Sequence, residues 1–396
     1  MNGIWIRYLP VCLFLIAGHS NAVHPTFSIA ADIPLGPSSL SSSCMAIATD
    51  SNNITYALGN SFSNNNGFIW LAKVNSTGTL VSHKSIFNPD LILHNKTRPV
   101  VKDMLILNDQ IFALLECEDN SRLAGTSQLA LLHLSKNGII VTNHLLSSKA
   151  INAHMIQLND DVVWIIGQNK STQQLLVNEI SLENPIPNTM INISPDNMVA
   201  TNGAIKDIII TGSGKCALLI ECYNSILDRR LQLLSLDRSG VINELAPPFD
   251  GSGGVLSRHK HSVVSLVYRA PTLHDLNNEM FKYYNIGHVA VYNINSSTLH
   301  YDERLNSRQI SSSDEGFPVF GIDNEKVAVS FVSTNQVEGK MLYLSSRISS
   351  IRISRQYSDD YVHYLLVNTT DWDKSKQKGE IFNRVTLLMI RRTDTE

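Results

Sequence analysis

Apolar residues recur along this chain in runs of five to nine β-prone positions, each bounded by Asn, Asp, Gly or Ser. Long stripes of helical period are missing, so the pattern predicts strand after strand. The runs also repeat one another. IFALLECEDNSRLAGTSQLALLHLSKNGII (111–140) aligns with CALLIECYNSILDRRLQLLSLDRSGVI (216–242), so that Glu116-Cys117 falls on Glu221-Cys222 and LLHLSKNG on LLSLDRSG. WLAKVNSTGTLV (70–81) is a third copy of the second half, and NEISLENPIP, VAVYNINSSTLHY and MLYLSSRISSI are weaker ones.

The turn glycine of each copy, or its equivalent, returns every 48 to 60 residues or so, and one period parses as four strands. The second period shows them best: VVKDMLILN, QIFALLECE, LALLHLS and IIVTNHLL. A polar turn with Gly joins the third strand to the fourth, as a tight hairpin requires. Four-stranded units at this period are the signature of an all-β propeller, in which each sheet buries both faces against its neighbours. Removing 22 leader residues from 396 leaves 374, which suggests seven such units, with six as the alternative. ISSIRISRQY reads equally as the last strand of one unit or the first of the next. YVHYLLVN and NRVTLLMIRR end the chain at a third-strand position, so FSIAADI (27–33) is expected to close the ring as the missing fourth strand. Closure of that kind removes an exposed sheet edge.

GFIWLAKVNSTGTLVSHKSI (67–86) resembles the generic repeat of secreted bacterial β-propellers, where an apolar strand runs into an Asp/Asn-x-x-Gly turn. The likeness is strongest in the first, second and fourth units. It lacks the Trp-Asp ending of WD repeats, the paired glycines of kelch units and the sialidase Asp box. The resemblance implies a fold and a secreted habit, and it brings no catalytic residues.

Composition agrees with a folded, exported chain. Hydrophobic residues make up 43% and charged residues only 17%, with a net charge of −3. That is too apolar for disorder. With no long basic run, it also excludes a nucleic-acid partner found through counterion release. Residues 1–22 hold one cation, Arg7, then an apolar run from Leu9 to Ala17, then small residues at Ser20 and Ala22. This is the three-part pattern of a secretory signal peptide. The expectation is a single propeller domain over 23–396, periplasmic or extracellular, with no integral membrane segment after the leader is removed.

Export permits disulfides among Cys44, Cys117, Cys216 and Cys222. Cys216 and Cys222 share one strand, about 20 Å apart, too far to bridge; Cys117 and Cys222 repeat one position two units apart. Buried thiols are therefore expected. Seven N-x-S/T sequons, among them Asn75 and Asn368, decide nothing: 36 asparagines in a Ser/Thr-rich chain produce about six by chance.

Catalytic motifs are absent: no HExxH, CxxC or GxSxG occurs. Gly212-Ser213-Gly214-Lys215 lies between two strands and reads as a hairpin turn, not a phosphate loop. His259-Lys260-His261 has the i, i+2 spacing of metal ligands, but no third ligand is specified and the segment reads as a turn. No metal or cofactor is expected. Glu116 and Glu221 are repeat-equivalent carboxylates that an acid pair at a channel mouth would use; the favoured reading is a solvent-facing strand end inherited by duplication.

Long insertions are more informative. FNPDLILHNKTRPV (87–100), APPFDGSGG (246–254), RAPTLHDLNNEMFKYYNIGH (269–288) and VNTTDWDKSKQKGE (367–380) all fall where connections emerge on one face, with short turns opposite. Long loops in a compact domain tend to carry function. The candidate contact residues are His274, Asp275, Phe281, Tyr283 and Tyr284 in one loop and Asp371, Trp372 and Asp373 in another. Tyr and Trp supply contact area at low entropic cost. The sequence thus points to a binding or scaffold module for a protein or a small-molecule or glycan ligand. The alternative is a secreted glycosidase-like hydrolase.

Overall fold

Strand formation follows from β-branched and leucine-rich runs too short to make buried helices and punctuated by turn residues. The structure, a computed structural model, describes residues 24–36, 41–63, 66–86, 97–119, 127–146, 150–159, 161–169, 175–181, 187–193, 203–212, 214–223, 229–239, 242–250, 252–259, 262–268, 287–293, 298–305, 309–310, 317–323, 326–332, 337–342, 348–353, 361–372 and 381–395. No helix occurs among them, and none is long and apolar enough to cross a membrane.

The described residues form 28 strands in seven four-stranded antiparallel sheets. Strand β1 (His24–Leu35) does not pair with its successor in the chain. The first sheet is β2 (Ser41–Thr49), β3 (Thr55–Ser63), β4 (Asn66–Val74) and β5 (Leu80–Ile86). The second is β6 (Thr97–Leu107), β7 (Gln110–Asp119), β8 (Ser127–Ser135) and β9 (Ile140–Leu145). The third is β10 (Ala150–Asn159), β11 (Val162–Asn169), β12 (Leu175–Ser181) and β13 (Pro187–Ile193). The fourth is β14 (Gly203–Gly212), β15 (Lys215–Tyr223), β16 (Arg229–Asp237) and β17 (Ile242–Asp250). The fifth is β18 (Ser252–His259), β19 (Ser262–Tyr268), β20 (Gly287–Asn293) and β21 (Thr298–Leu305). The sixth is β22 (Gln309–Ile310), β23 (Phe317–Asp323), β24 (Lys326–Val332) and β25 (Val337–Leu342). The last joins β26 (Ile348–Ile353), β27 (Val362–Trp372) and β28 (Ile381–Thr395) to β1.

The first strands β2, β6, β10, β14, β18, β22 and β26 lie side by side in that order, and β26 lies beside β2 again. The sheets therefore ring a central channel, and the fold is a β-propeller. Strand β1 pairs with β28 from His24↔Thr395 to Leu35↔Val385, so the N-terminal strand closes the ring as expected.

Cores sit between sheets. Tyr56, Leu58, Ile111 and Leu132 fill the seam of the first and second sheets; Trp164, Ile166, Leu218 and Leu234 fill that of the third and fourth. Trp70, Ala57, Leu366 and Leu387 fill the seam at the closure. With both faces covered, β11 is buried along nearly its whole length, and its VVWIIGQN reads as a continuous apolar run instead of alternating.

Three expectations about connections change. ISSIRI becomes β26, the first strand of the last sheet, resolving an ambiguity of local pattern through its pairing with β27. The long connection expected at 246–254 is largely strand: β17 runs to Asp250 and β18 starts at Ser252. The one expected at 367–380 shrinks to 373–380, because β27 keeps its ladder with β28 through Asp371↔Phe382 and Trp372↔Ile381. In both cases backbone pairing to a neighbour overrides a loop-like composition, proline-bearing in the first and polar in the second. The opposite end is also not uniformly short-turned, since six residues part β22 from β23 and eight part β26 from β27.

Candidate functional site

Antiparallel order fixes where the connections leave. Each first strand starts at the same end of the ring, so second-to-third-strand connections and inter-sheet connections share that end, and hairpin turns occupy the other. Residues 87–96, 269–286 and 373–380 therefore all depart from one end. Tyr268 and Gly287 are paired, so the connection carrying His274, Asp275, Phe281, Tyr283 and Tyr284 leaves and returns at neighbouring points. Those five residues and Asp373 lie outside the described residues. Asp371 and Trp372 occupy the last two rungs of β27, at the same end and two sheets further round the ring.

Toward that end, the first strands carry β-bulges at repeated places. The ladder shifts between Val101 and Asp103 in β6 and between Ile205 and Asp207 in β14. Bulges re-aim side chains. Here they free Lys102 and Lys206, which pair with Glu116 and, at 2.9 Å, with Glu221. The two glutamates are thus largely buried partners of lysines within their own sheets, in the second and fourth sheets with the third between.

The bulges also aim Asp103 and Asp207 across the seams. Asp103 accepts the Met104 amide with one oxygen and the Met155 amide of the next sheet with the other, both at 2.9 Å. Asp207 does the same with Ile208 at 2.9 Å and Leu256 at 2.6 Å. The intervening seams use amides from second strands instead. Asn60 accepts from Val101 N at 2.9 Å and donates to Pro99 O at 2.6 Å, and Gln168 accepts from Ile205 N at 2.9 Å. Sequence reading missed these residues. Their signal was present, because Lys102-Asp103 and Lys206-Asp207 repeat just upstream of the aligned segments.

At the hairpin end, the third-to-fourth-strand turns of the second and fourth sheets lean on the preceding sheet. Lys136 reaches back to Asp50 and also to Asp109, both at 2.6 Å; its repeat equivalent Arg238 reaches Glu179 at 2.7 Å. Burial alone would raise the Asp50 carboxyl, but bonds from Lys136 and from the Ile54 and Asn52 amides hold it below its ordinary value. Arg238, with burial opposing and Trp164 Nε1 donating at 3.0 Å, holds Glu179 below its own. Burial and then the Asp50 charge push Tyr56 up to about 12. This end is a stitched framework.

Gly212 pairs with Lys215 across a hairpin in which Gly214 has φ +70°, so the glycine-rich tetrapeptide is a turn. His259 pairs with Ser262 across a two-residue turn; the histidine side chains lie outside the described residues. Among the described residues no three His, Cys, Asp or Glu side chains gather as a metal site.

No family profile matches the chain, and no curated protein matches it. Solved structures match in fold. A polysaccharide lyase, Uly1, superposes with TM-score 0.55 at 10% identity, covering 87% of this chain and 89% of the lyase. A prolyl endopeptidase follows with TM-score 0.51 at 8% identity over 87% of this chain and 47% of the other. The acylaminoacyl peptidase of Pyrococcus horikoshii gives 0.50 at 10% identity over 84% and 50%. The chain spans about half the length of each peptidase. At these identities the likeness is one of fold alone.

Proposed function

We propose that this propeller is an exported binding module that holds a protein partner on the end from which residues 87–96, 269–286 and 373–380 depart. One observation carries the reading: the two longest connections, 87–96 and 269–286, leave the same end of a ring whose seams are clamped by Asn, Gln and Asp side chains. A stiff scaffold with long connections on one side is the usual arrangement of a recognition surface. Tyr283, Tyr284 and Trp372 are its proposed anchors, with His274, Asp275, Phe281, Asp371 and Asp373 around them. Export rests on the leader pattern of residues 1–22.

A hydrolase acting through Glu116 and Glu221 is the weaker reading. Glycosidase chemistry asks for two facing carboxylates roughly 5–9 Å apart, and each of these is committed to its own lysine.

The test uses residues 23–396 as bait against envelope and secreted extracts, beside a bait with Tyr283, Tyr284 and Trp372 changed to Ala. A partner held by the first and lost by the second supports the surface; one held equally by both refutes it. A glycan array run on the same pair separates a sugar ligand from a protein. N-terminal sequencing of the exported protein is expected to begin at Val23 or close to it.

A further inference from the structure

His133 and His144 stand on adjacent strands at the seam of the second and third sheets, inside an apolar wall. His133 on β8 is 5% exposed and lies flat on Phe112, with ring centroids 4.6 Å apart and planes 7° from parallel. Its two nitrogens have one partner each: Nε2 meets the Gln110 carboxamide oxygen, and Nδ1 meets the Thr142 hydroxyl at 3.4 Å. Both partner atoms are oxygens able to accept, so it is burial in an apolar seam, and not these contacts, that favours the neutral ring. His144 on β9 has its Nε2 buried with no hydrogen-bond partner.

We propose that this seam is an acid-sensitive latch: the outer strand β9 is seated while the buried His133 is neutral and is released when His133 takes up a proton. A proton on His133 puts charge into a buried seam and beside His144. Across the seam the wall is largely apolar: β10 presents Ala153 and Met155, β11 Val163 and Ile165, and β12 Leu176 and Ile180 with the buried Asn178 between them. The charged groups facing this seam among the described residues are Asp103, already holding Met104 and Met155, and Glu116 with its partner Lys102. Burial first, and the charge of His144 second, hold His133 below the ordinary histidine value.

The direction of the pH dependence comes from that depression. A histidine depressed in the folded state contributes stability above about pH 6.5, and that contribution is lost as pH falls toward its folded value. The strand it seats is the one most easily lost. β9 is an outer strand with a single neighbour in its sheet, and it exposes Val141. It leads directly toward β10, so its release would reach the end from which the long connections leave. The latch stands independently of what that end binds.

Hydrogen exchange on the whole mature chain tests it, comparing about pH 7.5 with about pH 5 after correction for intrinsic rates. Protection in 127–146 is expected to fall about tenfold or more at the lower pH, while the matching 229–250 segment of the fourth sheet holds. Parallel loss in both segments overturns the proposal. A His133→Gln chain is expected to lose the pH dependence, and retention of it also overturns the latch. Should that variant fail to fold, the ring-proton titration of wild-type His133 decides: a midpoint below about 6.5 supports the proposal, and one at or above it refutes it.

Discussion

Asn368 and Cys44 lie 324 residues apart, yet the Asn368 carboxamide takes the Cys44 amide at 2.9 Å and gives its own N–H to the Cys44 carbonyl at 3.0 Å. One side chain thus satisfies both backbone groups of a buried residue on the neighbouring sheet, at the seam where the ring closes. Asn60 makes the corresponding reach between the first and second sheets. Asn368 also heads an N-T-T sequon, and its burial in this clamp is incompatible with a glycan there.

Replacing Asn368 with Leu leaves the Cys44 amide and carbonyl buried without this partner. Each such group costs about 1–3 kcal/mol, so urea denaturation should show a loss of about 2–6 kcal/mol. Asn368→Asp, which keeps the acceptor and loses the donor, should fall between. Equal midpoints for wild type and Asn368→Leu would show that the clamp adds nothing to stability.

Acid should act on the hairpin end through Asp50. Its carboxyl is held low in the folded state, so the stability it contributes is present above its unfolded value near 4 and is lost as pH falls through the folded value. Lys136→Ala strips a buried carboxylate of its cation. The expectation is a loss of about 2 kcal/mol near neutrality and an acid unfolding limb displaced to higher pH. Urea midpoints across a pH series would show both, and an unmoved acid limb would contradict the assignment.

Gly59 is a packing requirement and not a turn. A β-carbon there would overlap Trp70 Cζ2 and stand 2.5 Å from the Ser43 carbonyl oxygen. Gly59→Ala should cost about 3 kcal/mol or more. Gly214→Ala, strained only by its φ of +70° and with open space around it, should cost about 1 kcal/mol. Thermal melts of the pair test the ordering, which fails if Gly214→Ala proves the worse.

The buried thiols should be inert. Burial pushes Cys216 up to about 12, and burial with the Glu221 charge pushes Cys222 up to about 11. Thiolate is the reactive form, so a disulfide-exchange reagent at about pH 8 should modify neither until the chain unfolds. Rapid labelling of either in the native protein would count against their burial.

Much of the fold is legible in linear order. The strands, the turn glycines, the four-strand period and the closing role of residues 27–33 are local patterns, and local patterns suffice because each sheet is a meander of consecutive hairpins. The two cysteines of β15 could be declared unbridged from strand geometry alone. Connection lengths were less legible: 246–254 and 367–372 have the composition of loops, and only ladders to neighbouring strands make them β. The clamps were not legible at all. Asn60, Gln168, Asp103, Asp207 and Asn368 look like any polar residues of a polar-rich chain, and their meaning depends on which backbone groups of another sheet they meet.

The division has a physical cause. Hydrophobic period and turn chemistry act between residues a few positions apart, so the sequence by itself determined an all-β chain of repeated four-stranded units with a long-connection end. Buried hydrogen bonds and ion pairs act between residues brought together only when the ring closes. The tertiary structure alone therefore decided that Glu116 and Glu221 answer to lysines, that Asn368 holds the closure, and that His133 and His144 share one seam.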